Sequence, residues 1–178
     1  RSLTGEGANS RTTTHDRFCT GDRFRERAID GGTWLFYLCR ADDLLVHTSG
    51  EMTNPLPTEQ AMLGACAGLV DAAACVGNHL PRALLMVELS STAGDQRVAS
   101  ALLAGLEEAN RAQPNYSHVL PHHVLLMPHG SLPRTVKGTV QRHQAERLFA
   151  ADLAAIRRNE PPVTAGASVL VPPADFGG

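Results

Sequence analysis

Asp22 and Arg40 are the first residues of this chain whose types suggest chemistry. A carboxylate can accept two hydrogen bonds from a diol, and a guanidinium can pair with a phosphate or ribose oxygen. That combination suits a nucleotide, although on the residues alone a surface ion pair between them is the more ordinary reading. The stretch from Thr20 to Glu59 that contains them also sets Asp42-Asp43, Ser49-Gly50-Glu51 and Asn54-Pro55 between apolar runs, at spacings that a plain core does not need.

The elements that must position these groups follow from local pattern. Asp30-Gly31-Gly32 supplies the positive φ of a tight turn, and alternation on both sides predicts a β-hairpin carrying Asp22 and Arg40 at its strand ends. Trp34, Phe36 and Leu38 would share one face. Leu44 to His47 predicts a strand that breaks at Thr48-Ser49-Gly50-Glu51. A helix capped by Thr58 follows, with Glu59 and Gln60 in the first turn favoured by the helix dipole, and Met62, Cys66, Leu69 and Val70 as its buried stripe.

Asp71 to Val76 and Ala83 to Leu89 predict two antiparallel strands. A helix from Asp95, its cap, to Arg111 presents Val98, Leu102, Leu103, Leu106 and Ala109, and Pro114 stops it. Val124 to Met127 is a third strand, and Leu132 to Thr139 a loop. From Val140 one final helix places Ala145, Leu148, Phe149, Leu153 and Ile156 on a single face. The expected fold class is α+β, a small three-stranded sheet with flanking helices, preceded by a hairpin. Residues 1–17 read as a loop or frayed end and the proline-containing residues 157–178 as a linker.

The 178 residues, 43% apolar, are enough for one core of ordinary size. A net charge of −2 with interspersed signs gives no footprint for nucleic acid or an anionic membrane, so neither is expected as a partner. The start carries no initiator Met, which suggests a fragment, and no signal-peptide pattern. Cys19, Cys39, Cys66 and Cys75 lack CxxC spacing and read as reduced, in a cytoplasmic protein. His118, His122, His123 and His129 lie close in sequence. Adjacent His122 and His123 would point to opposite faces of an extended chain, and no converging ligand set is visible, so no metal site is expected.

Thr20-Gly21-Asp22, Cys39-Arg40-Ala41-Asp42-Asp43, Ser49-Gly50-Glu51 with Asn54-Pro55 and Glu59, then Glu108-Ala109-Asn110-Arg111 with Pro114 and Ser117, and finally Leu132-Pro133-Arg134-Thr135-Val136-Lys137-Gly138-Thr139-Val140-Gln141-Arg142 together carry a resemblance. They are similar to the C-terminal part of adenylate-forming (AMP-binding) enzymes of the acyl-CoA synthetase, adenylation-domain and luciferase superfamily. The pattern most resembles the fungal-type carboxylate reductases that are like nonribosomal peptide synthetases. Cys39 and Met52 stand where the family has a glycine and a basic residue. Lys137 stands two residues before the family's usual lysine position, as in the fungal reductase-like branch. That displacement is about 7 Å along extended chain and keeps the side chain on the same face.

The resemblance implies a two-step reaction in which a carboxylate and ATP give an acyl-adenylate, and a phosphopantetheine thiol then takes the acyl group. In the carboxylate-reductase branch an NADPH-dependent reductase domain follows. It further implies that Asp22 and Arg40 bind the nucleotide, that Asp42 is the hinge, that Gly50 lines the pantetheine tunnel and that Lys137 is catalytic. Residues 18–42 would be the last hairpin and hinge of the N-terminal adenylation subdomain, and 43–156 the mobile C-terminal subdomain. Mg would be held through the ATP phosphates and the N-terminal adenylation domain, and a carrier domain would be the other partner. The glycine- and Ser/Thr-rich phosphate loop is not among these residues, so the chain alone is expected to be inactive. A rival expectation is a non-catalytic module that docks a carrier domain or partner protein.

Overall fold

The computed structural model describes residues 19–91, 95–111 and 113–171. The frayed end expected over 1–17 and the capping side chain of Asp95 lie outside the described residues. The chain divides into two compact units between Leu44 and Leu45.

The first unit is the expected hairpin. Strands β1 (Asp22–Ile29) and β2 (Gly32–Arg40) pair antiparallel, with Asp22 opposite Arg40 and Ile29 opposite Gly32. The turn itself is Asp30-Gly31, with φ of 50° and 75°, the two positive angles of a primed turn that matches strand twist. Side chains on both faces of β2 stand exposed, among them Trp34 at 59% and Leu35 at 55%, so the apolar surface is not confined to one face. Cys39, by contrast, is buried at 2%. A single helical turn, Ala41–Asp43, follows β2.

The second unit opens with a short ribbon, β3 (Leu45–Val46) against β4 (Met52–Thr53). Helix α1 (Pro55–Ala65), β5 (Val70–Val76), β6 (Leu84–Leu89), α2 (Asp95–Arg111), β7 (Val124–Met127), α3 (Arg142–Leu148), α4 (Ala150–Arg157) and β8 (Ser168–Val169) complete it. The main sheet has the order β5-β6-β7-β8. Its β5/β6 and β7/β8 pairs are antiparallel, and β6/β7 is parallel because α2 carries the chain back across the sheet. Side chains alternate across the strands. Leu85 and Val87 join Met62, Leu102 and Leu106 in one core, while Leu84 and Met86 join Ala145, Leu153 and Ile156 in the other. The expected α+β architecture is therefore present, with helices on both faces of the sheet.

Helix α1 ends at Ala65, so of its expected stripe Leu69 lies in the following turn and Val70 opens β5. Four further details differ from the expectations. Helix α1 is capped by Asn54, whose side chain accepts from the Leu56 N–H at 3.1 Å, and Pro55 occupies the first helical position where its missing N–H is not needed. Thr58 is consequently buried in the helix. The last helix is two helices, because Phe149 leaves helical geometry (φ −105°, ψ 22°) and turns Leu148 out to 61% exposure. His122 and His123 do not splay apart. Pro121–His123 is a tight helical turn that sets their rings edge-to-face with centroids 4.4 Å apart.

The fourth detail concerns the segment read as a linker, which folds back onto the domain. Buried Asp152 accepts from the Val163 and Thr164 N–H groups at 2.8 Å and from the Thr164 hydroxyl at 2.7 Å. Beyond that anchor β8 adds a fourth strand to the sheet, and Leu170, 1% exposed, donates its N–H to the Val124 carbonyl. Among the described residues no cysteines are joined in a disulfide, and no helix is long and apolar enough to cross a membrane.

Candidate functional site

At the open end of the hairpin, Asp22 and Arg40 lie at the strand ends as expected, and the structure makes them register partners. The Asp22 N–H donates to the Thr20 hydroxyl, and the Ala41 N–H donates to the Gly21 carbonyl at 2.7 Å, closing the strand ends. The carboxylate that grips Arg40 is a different one. Its Nε and Nη2 donate to the two oxygens of Asp42 at 2.9 and 3.3 Å, with both side chains at least half exposed. That hydrogen bond, the Asp42 charge and the more distant Asp22 and Asp43 raise the Arg40 pKa. The residue at the expected hinge position thus holds the arginine expected to meet the nucleotide. Cys39, in place of the family glycine, lies in β2 and is not among the non-glycine residues of positive φ, so the backbone accommodates it.

In the second unit two exposed loops stand on firmly tied bases. One carries Gly50. The His47 N–H donates to the Glu51 carbonyl and the Gly50 N–H to the His47 carbonyl, and Gly50 takes a φ of 86° with nothing within 4 Å of where a Cβ would sit. Beneath it, buried His47 contacts the Leu80 carbonyl through Nδ1 at 3.2 Å and the Thr53 hydroxyl through Nε2 at 2.7 Å. Thr53 in turn meets the Ser117 hydroxyl at 2.7 Å. Met52 is half exposed on the same ribbon.

The other loop carries Lys137, the only lysine in the sequence. Arg134 and Val140 form a single antiparallel bridge. Above the bridge the Thr135 N–H donates to the Thr139 carbonyl and the Gly138 N–H to the Thr135 carbonyl, both at 2.8 Å. Residues 135–139 are all exposed, and Val136 is fully so. Below the bridge the Gln141 N–H bonds the Pro133 carbonyl and its side-chain amide the Arg134 carbonyl.

Each foot of this loop is clamped by a glutamate rooted in the fold. On one side Glu88 of β6, 0% exposed, receives Arg134 Nη2 at 2.7 Å, Arg134 Nη1 at 3.3 Å and the Leu132 N–H at 2.7 Å. Burial alone would raise its pKa, but Arg134 and the N–H groups of Leu132 and Gly130 hold it below the ordinary glutamate value. On the other side Glu59 of α1 takes three contacts from Arg142 at 2.9 to 3.2 Å and the Cys75 N–H at 2.7 Å. Arg142 is therefore a nearly buried partner of Glu59 with 11% of its side chain exposed. Burial, and then the Glu59 charge, push the Cys75 thiol pKa up.

Sequence reading missed both clamps. A signal existed for Glu88, a lone acid in the strand Leu84–Leu89, LLMVEL, which is otherwise apolar and needs a partner for its charge. Asp71, Glu88 and His129 bring one ligand atom each to within 4.8 Å of one another. They do not suit a divalent metal, since both Glu88 oxygens are engaged by Arg134 and Leu132, and His129 is bonded to Asp71 at 2.6 Å. A groove of about 570 Å³ lined by Ile156, Pro161, Val169 and Val171 lies along the tail and includes no residue of either loop.

The pattern of the AMP-binding enzyme C-terminal domain matches residues 42–160, and the chain belongs to this family. It is 29% identical over 148 residues to the adenylate-forming reductase Nps11 of Serpula lacrymans, a match covering 78% of this chain and 13% of that protein. Over 161 residues it is 29% identical to the hispidin synthase of Neonothopanus nambi, covering 86% of this chain and 9% of that one. The chain thus spans a small part of the length of the curated relatives it matches. Its backbone is similar to that of the A-PCP didomain of a carboxylic acid reductase from Segniliparus rugosus, solved in complex with AMP. That likeness has a TM-score of 0.61 at 20% identity over 80% of this chain and 21% of that one, and it establishes the fold.

Proposed function

We propose that this chain is the mobile C-terminal part, with the last hairpin of the preceding subdomain, of an ATP-dependent enzyme that activates a carboxylate and passes the acyl group to a phosphopantetheine thiol. In the first half-reaction a carboxylate oxygen attacks the α-phosphorus of ATP and pyrophosphate leaves. In the second, the thiol sulfur attacks the acyl carbonyl and AMP leaves. Mg would arrive with ATP, and any protein ligands to it would be supplied by the N-terminal adenylation domain. The acceptor thiol belongs to a carrier domain, and in the reductase branch an NADPH-dependent domain would consume the thioester.

The observation that carries this reading is the placement of the chain's single lysine at the tip of an exposed loop whose feet are fixed. An ammonium there can neutralise charge as the carboxylate meets the α-phosphate, and a fixed donor aimed at developing charge is the most effective kind. Asp22 would accept from the ribose hydroxyls. Arg40 would exchange Asp42 for the ribose and phosphate side of the adenylate, and Asp42 would change backbone angle as a hinge does. Gly50 would line the pantetheine tunnel in the second conformation, where the missing Cβ permits close approach.

The test is Lys137→Ala in the protein carrying its N-terminal adenylation domain. Carboxylate-dependent exchange between ATP and pyrophosphate should fall at least about a hundredfold, about 3 kcal/mol of transition-state stabilisation. Thioester formation from a supplied acyl-adenylate should be nearly unchanged. Unchanged exchange in the variant would overturn the assignment of Lys137.

A further inference from the structure

We propose that Glu88 is a positioning residue for adenylate formation, acting through Arg134 on the Lys137 loop. This rests on the reading of Lys137 given above. The tip of the loop has no packing of its own, since residues 135–139 are exposed and nothing lies within 4 Å of a Cβ placed on Gly138. Its backbone bonds close the loop on itself and do not aim it. Direction comes from below, and on that side the fold supplies Arg134, whose two-pronged contact with Glu88 joins the first residue of the bridge to the centre of the sheet.

Glu88 is an unexpected residue for its place. Its neighbours in β6 are Leu84, Leu85, Met86 and Val87, and an aliphatic side chain there would avoid burying a charge. The acid does what an aliphatic cannot, because it holds Leu132 and Arg134 at fixed angles on one carboxylate. Lys137 is three residues beyond Arg134, so a small rotation at the foot becomes a displacement of about an ångström at the tip. Displacements of that size cost on the order of a hundredfold in rate.

The experiment uses Glu88→Gln, Arg134→Lys and Lys137→Ala, and each of the first two combined with Lys137→Ala, in the protein with its N-terminal adenylation domain. Arg134→Lys keeps the charge and removes the fork, and it serves if Glu88→Gln does not fold. Each single clamp variant should lower ATP–pyrophosphate exchange about tenfold to a hundredfold while leaving thioester formation from a supplied acyl-adenylate within about twofold. In the Lys137→Ala background the same substitutions should cause no further loss, because the residues act as one unit.

A readout independent of activity is available in the 178-residue chain, where a lysine-specific protease has one site. Cleavage after Lys137 under native conditions should accelerate about tenfold in Glu88→Gln or Arg134→Lys. The positioning role is overturned if Lys137→Ala lowers exchange but the clamp variants do not, if both half-reactions fall in parallel, or if the losses multiply in the combined variants. If Lys137→Ala leaves exchange intact, the role assigned to Lys137 falls first, and that of Glu88 with it.

Discussion

The Gly50 and Lys137 loops solve the same mechanical problem by different chemistry. Each presents an exposed tip above a buried anchor, but the Gly50 loop rests on hydroxyls, an imidazole and a carbonyl, running from Leu80 through His47 and Thr53 to Ser117. The Lys137 loop stands on two glutamate–arginine pairs. A chain of hydroxyls holds position with short, individually modest bonds. Buried ion pairs hold angle more strictly and fail more severely when one partner is removed. The loop assigned to charge neutralisation has the stiffer base, and the loop assigned to passage of a flexible pantetheine arm has the softer one.

Removing one partner on each side tests that contrast most directly. Glu59→Ala removes the carboxylate that receives the nearly buried Arg142 guanidinium and the Cys75 N–H, and should destabilise the chain by about 3–5 kcal/mol, read as a large fall in the midpoint of chemical denaturation. Ser117→Ala removes only the outer hydroxyl of the other chain and should cost about 1–3 kcal/mol. Equal losses would erase the distinction between the two bases.

Acid should sharpen it further and by a smaller amount. The Glu88 pKa is lowered in the fold, so its contribution is complete above the ordinary glutamate value and is lost as pH falls through the depressed one. His123 works in a separate window. Burial, then His122, Arg82 and Arg157, lower its pKa from 6.5 to about 4, so the unfolded chain binds the proton first and stability declines from pH 6.5 to about 4. Thermal unfolding followed against pH should show two limbs. Glu88→Gln should shrink the more acidic limb, to which Glu160 paired with Arg158 also contributes, and His123→Gln should remove the milder one.

The hairpin was legible because the Asp30-Gly31-Gly32 turn and alternating residues are local signals, whereas its register, with a shift between Arg23 and Phe24, was not read. Helix Asp95–Arg111 was legible because its apolar period ends at a proline. The family pattern is what singled out Asp22, Arg40, Asp42, Gly50 and Lys137, and the roles proposed for them rest on it. What escaped reading depends on distant partners. Glu88 meets Arg134 at a separation of 46 residues and Glu59 meets Arg142 at 83, so neither acid announces its role through its neighbours. Strand β8 has two residues inside a proline-containing segment and exists only because Asp152 and β7 receive it. The cap at Asn54 was missed for a local reason, since Thr58 competes for the role and Pro55, which suits the first helical position, decides it.

The folded-back tail also sets a length. A flexible segment of about 15 residues would wander over about 20 Å, and anything tethered through it would be diluted accordingly. Because Asp152 and β8 tie down the segment between Arg157 and Val169, that stretch adds no reach. A domain joined beyond residue 171 would be leashed from the edge of the sheet, and its effective concentration at the two loops would depend only on the residues after that point.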